Sequence, residues 1–181
     1  MLLSVRYVEL EPAAPLRGWV RFWRLSGAGG ERAPEPVLPD GCVELIVHLG
    51  DPFRVWTERG LELQPRLLLA GPGTRPVRLA PTGRIDVIGA RFEAGTASSL
   101  APLTELVDVI PALDAVRGEL ARGLGEELAE PRRGEGWTDV LTRRLAPWLR
   151  AGDALVERAV ARLRDSNGRV TIDALAGELG L

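Results

Sequence analysis

The segment Cys42-Val-Glu-Leu-Ile-Val-His-Leu49 alternates with a period of two. Val43, Leu45, Val47 and Leu49 fall on one face; Cys42, Glu44, Ile46 and His48 fall on the other. That period belongs to a strand, not to an amphipathic helix. A face made wholly of branched apolar side chains has to be covered, so the strand predicts a layered β structure with a core on one side.

The neighbouring stretches extend the same reading. Arg17–Leu25 (RGWVRFWRL) is a strand candidate with Val20 and Phe22 on one face and Trp19 and Trp23 on the other. Phe53–Leu63 (FRVWTERGLEL) reads as a hairpin turning at Glu58-Arg59-Gly60. Arg66–Pro81 gives two short strands around the Gly71-Pro72-Gly73 turn, and Arg84–Gly95 (RIDVIGARFEAG) closes the series. Turn signals every ten residues or so predict a small barrel or sandwich.

After Gly95 the apolar spacing changes to three and four. Residues 96–107 predict a short helix and turn. Leu113, Val116, Leu120, Leu124 and Leu128 follow as one helix weakened by Gly118, Gly123 and Gly125. Trp137, Val140, Leu141, Leu145 and Trp148 form a stripe on a helix that kinks at Pro147. Asp153 is placed to cap a helix carrying Leu155, Val156, Ala159, Val160 and Leu163, with Asn167-Gly168 as its stop. Thr171 then opens a last helix with Ala174, Leu175 and Leu179 apolar, the pattern of the first helix of a DNA-binding helix-turn-helix.

Composition narrows the chemistry. The 181 residues are 45% hydrophobic and 27% charged, as in ordinary globular proteins. No apolar run reaches the ~18 residues of a membrane span. The start, MLLSVRYVELEP, lacks the basic-then-apolar order of a secretory signal, and the single cysteine suits a reducing cytoplasm. All 23 basic residues are arginine, which excludes Schiff-base and P-loop chemistry. Residues 1–110 carry 12 Arg against 13 acids and residues 111–181 carry 11 against 12. Neither part has the basic excess of a nucleic-acid-binding domain.

No catalytic or metal-ligating set emerges. His48 is the one histidine, and Cys42 lies six residues away, about 20 Å along an extended strand. Cys42 reads as a small apolar residue and His48 as a partly buried, hydrogen-bonded one. The tryptophans have two readings: they fill a small core, or Trp23 and Trp56 wall a pocket whose polar anchors are Glu44, His48 and Arg91. The stripe of Trp137, Leu141, Leu145 and Trp148 also has two: packing within the chain, or a dimer interface. Arg132-Arg133 and Arg143-Arg144 are expected on a solvated face.

Taken together, Pro39-Asp40-Gly41 with Glu44-Leu45, Gly71-Pro72, and Gly89 with Arg91-Phe92 and Gly95 resemble the N-terminal region of a subgroup of AraC-type transcriptional regulators. The resemblance implies an α+β fold: a small cupin-like β-barrel or sandwich over residues 1–95, a helical connector for dimerisation over 96–167, and an incomplete helix-turn-helix over 168–181. It implies a cytoplasmic chain, expected as a homodimer, that senses a small molecule, mediates dimerisation, or does both, with no cofactor. DNA would be bound only through a C-terminal part missing from this chain. The rival from another class is a small non-metal barrel enzyme or carbohydrate-binding protein with helical decoration.

Overall fold

The computed structural model describes residues 5–30, 33–149 and 153–181; the first four residues of the segment read for a secretory signal lie outside them. Among the described residues, nine strands form two antiparallel sheets. The larger has β1 (Arg6–Leu10), β2 (Val20–Gly27), β9 (Ile85–Phe92), β4 (Val43–His48) and β7 (Leu67–Ala70) in that spatial order. The smaller has β3 (Glu35–Val37), β8 (Val77–Ala80), β5 (Arg54–Thr57) and β6 (Gly60–Leu63). The β5–β6 hairpin pairs Thr57 with Gly60 across the expected turn. The strands flanking Gly71-Pro72-Gly73 do not pair, because β7 joins the large sheet and β8 the small one.

Register explains the core. Leu10, Phe22, Ala90, Leu45 and Leu69 lie in one row across five strands. Val20, Phe92 and Val43 make the next row on that face. All of these except Leu10 are buried, and the helices between Leu103 and Leu145 follow to cover them. After one 3-10 turn (Thr96–Ser99) come α1 (Leu103–Leu106), α2 (Leu113–Ala121), α3 (Leu124–Ala129) and α4 (Trp137–Leu145). Leu106, Leu113, Leu120, Leu124, Val140, Leu141 and Leu145 join the sheet residues in a single core. Residues up to Leu149 are thus built into the same core as the sheet. Burial of each such side chain contributes on the order of 2 kcal/mol.

Several details differ from the sequence reading. Trp19 and Trp23 do not share a face: Trp19 precedes β2 and packs on the main core, whereas Trp23 lies on the opposite side of the sheet. The 113–128 helix is two helices, broken where Arg122 and Gly123 leave helical geometry, with a further distortion at Arg117. The stripe helix ends at Leu145 and does not continue through Pro147. Arg143 and Arg144 are not simply solvated. Arg144 donates to the carbonyls of Leu120 and Arg122, each at 2.6 Å, supplying partners that the end of α2 lacks. It also meets Glu127 at 2.8 Å, and Arg143 joins Glu127 to Glu135. These contacts pin α4 across α2 and α3.

The last two helices are α5 (Ala154–Asp165) and α6 (Ile172–Leu179). Asp153 accepts from the Leu155 amide, Thr171 accepts from the Ala174 amide, and Asn167 and Gly168 take positive φ between the helices. The caps and the stop are where the sequence places them. No residue of α5 is buried.

Candidate functional site

The second face of the large sheet carries the polar residues singled out by sequence. Glu44 and Arg91 stand directly opposite each other on β4 and β9, and Arg21 follows in the same row on β2. Arg91 Nε donates to Glu44 Oε1 at 2.6 Å, and its Nη2 lies 3.3 Å from Asp40 Oδ2. Asp40 also shapes the backbone. Its Oδ1 accepts from the Cys42 amide at 3.0 Å, which sets the turn around Gly41 before β4. One arginine therefore bridges two carboxylates from one turn-and-strand segment.

Burial sets the electrostatics. Glu44 is mostly enclosed, and desolvation pushes its carboxyl above the usual range while Arg91 pulls the other way. On β1, Tyr7 donates to Glu9 at 2.8 Å. Partial burial, reinforced by that carboxylate, pushes the Tyr7 hydroxyl up to about 12. Burial, then the Asp40 charge, raises the Cys42 thiol, the opposite of what a nucleophile needs.

Toward the other end of the sheet the same face becomes apolar. Trp23, Ile85 and Val87 cluster with Leu25, Ile46 and Phe53. Trp23 is possible only because Gly89 is opposite it: a Cβ at Gly89 would lie 2.1 Å from the indole. The indole Nε1 is buried with no hydrogen-bond partner. His48 is 3% exposed and packs on Phe53 with ring centroids 5.3 Å apart. Neither ring nitrogen makes a hydrogen bond, so His48 is more fully buried than expected and lacks the hydrogen bond expected of it. Burial pulls its pKa down to about 4, opposed by the nearby Gln64 side chain and helped by Arg66.

Glu44 and Arg91 are thus brought together, and Trp23 and His48 lie further along the same face. Trp56 is not with them. It sits on β5 in the smaller sheet and is 57% exposed, so it walls nothing here. A groove of about 300 Å³ opens beside the cluster, lined by Glu9, Arg21 and Glu93 among others, and none of the five expected pocket residues lines it. Sequence reasoning missed Tyr7 and Glu9 because β1 was not recognised as a strand. Its alternation of Tyr7 and Glu9 against Val8 and Leu10 was the available signal.

The stripe of Trp137, Leu141, Leu145 and Trp148 is also redistributed. Leu141 and Leu145 are 1% and 0% exposed within their own chain, so they offer no surface to a second copy. Trp137 packs tilted against Phe22, ring centroids 6.3 Å apart, and Trp148 carries the Arg117 guanidinium 5.8 Å from its ring centroid. Among the described residues no group of three His, Cys, Asp or Glu side chains is placed to hold a metal ion. No described helix is long and apolar enough to cross a membrane.

The chain carries a two-sheet α+β domain with a charged cluster at one end of its larger sheet. Residues 8–109, more than half of the chain, match the family described as "Domain of unknown function (DUF6597)", and the chain belongs to that family. It is also similar to a solved structure titled "Crystal structure of the AraC-like transcriptional activator CuxR". That similarity is 12% in identity with a TM-score of 0.40, over 99% of this chain and 76% of that one. No curated protein matches the chain.

Proposed function

We propose that this chain is the regulatory part of an AraC-type transcription factor, whose two sheets form a cupin-like sensory unit for a small polar molecule. The observation that carries the reading is the meeting of separate motif residues. Asp40 and Glu44 belong to the Pro-Asp-Gly-x-x-Glu-Leu segment and Arg91 to the Gly-x-Arg-Phe segment, 47 residues beyond Glu44, yet all three join in one ion-paired cluster. A ligand with an anionic group would compete with the carboxylates for Arg91, and one with a donor would compete for Glu44.

The net charge of −2 gives residues 1–181 no basic excess with which to hold DNA tightly. In this reading α6 corresponds to the bracing first helix of a helix-turn-helix. Pairing of two chains would use surface other than Leu141 and Leu145.

Two measurements test the reading. A thermal-shift screen of small metabolites should give a saturable rise for at least one compound, abolished in Arg91→Gln. A promoter gel shift should show only weak binding by the 181-residue chain. Tight sequence-specific binding by this chain alone, or ligand shifts indifferent to Arg91, would sink the proposal.

A further inference from the structure

We propose that Glu93 is a latch that docks the α5–α6 pair on the sheet domain, and that this docking is reversible. The two helices form a unit of their own. Arg162 makes a two-pronged contact with Glu178, Nε to Oε2 at 2.6 Å and Nη2 to Oε1 at 2.9 Å, and Leu175 of α6 is buried. Two contacts tie this unit back to the residues just after β9. Arg164 of α5 donates to Glu93 Oε2. Val156 lies against Gly95, where a Cβ would come within 3.0 Å of the valine methyl. Gly95 has a φ of +86°, so a side chain there is disfavoured by backbone conformation as well as by the valine.

The composition of the interface sets its strength. An apolar seam would hold the helices permanently, yet no residue of α5 is buried and Val156 is 42% exposed. The Arg164 side chain is 59% exposed, so this is a surface ion pair, weak and screened by salt. Losing it shifts the docked-to-released ratio by up to about fivefold.

The latch carboxylate is also shared. Glu93 Oε1 accepts from Arg21 Nε at 3.2 Å, and Arg21 Nη1 meets Glu9 at 3.2 Å. Glu93 forms part of the wall of the 300 Å³ groove and lies two residues beyond Arg91 on the same chain segment. A rearrangement of Arg21 therefore reaches α5 through the shared Glu93 carboxylate rather than through the core.

The test needs neither effector nor DNA, so its outcome is independent of the regulatory reading. Nitroxides are placed at Glu58→Cys and Asp173→Cys on a Cys42→Ser background, and their separation is measured by pulsed electron resonance. At low salt one narrow distance is expected. Arg164→Glu should broaden it, while the melting of the sheet domain stays unchanged; Arg164→Gln gives the same direction if the reversal fails to fold. Raising salt from 50 to 500 mM should reproduce the broadening in the parent. A distance indifferent to Arg164 and to salt overturns the proposal, and so does a fall in sheet-domain melting that accompanies the broadening.

Discussion

Arg91 and Glu44 face each other across neighbouring strands with 2.6 Å between Nε and Oε1, and Glu44 is the more enclosed of the two. Removing the arginine therefore leaves a carboxylate desolvated and unpaired. Arg91→Leu should cost about 1–3 kcal/mol, less than a fully buried pair because Arg91 itself is partly solvated. Adding Glu44→Gln should recover part of that loss. A urea double-mutant cycle checks it; strictly additive losses would show that the pair is not coupled.

His48 gives a pH dependence with a fixed sign. Its folded pKa of about 4 lies below the ordinary 6.5, so the unfolded chain takes up the proton first. Its contribution is fully present above pH ~6.5 and drains away as pH falls, a loss of roughly 3 kcal/mol by pH 4. His48→Leu should flatten stability over that window, measured by chemical denaturation at pH 7, 5.5 and 4.5. A parent and variant with parallel profiles would contradict the burial of a neutral imidazole.

Gly89 and Trp23 form a lock. Gly89→Ala puts a methyl group within 2.1 Å of the indole and should cost about 1–3 kcal/mol by overpacking. The indole fluorescence should shift as Trp23 moves toward solvent. Trp23→Leu in the same chain should restore most of the loss. A neutral Gly89→Ala would mean that the ring has free room to retreat.

The alternation in Cys42–Leu49 sufficed to read β4, because a period of two with one apolar face has few other solutions. The caps at Asp153 and Thr171 were readable for the same reason: they are local chemistry. What escaped was non-local. Nothing in Arg66–Pro81 tells that its two strands part to different sheets, since sheet membership is decided by partners far along the chain. Arg144 looks like any surface arginine until α2 ends beneath it. The Glu44–Arg91 pair was half legible: both residue types suggested polar anchors, but the register that sets them opposite each other required the fold.

Leu141 and Leu145 allow two readings in the sequence that the buried core separates. If they served a dimer interface, replacing them would cost stability only where dimers form, and the loss would depend on protein concentration. Both lie in the same core as Phe22 and Leu124, so the loss is intrinsic to one chain. Leu141→Ala should cost about 2–5 kcal/mol through the cavity left among these neighbours. Denaturation midpoints at protein concentrations a hundredfold apart should show the same difference between parent and variant. A difference that shrinks on dilution would return the stripe to the interface between two copies.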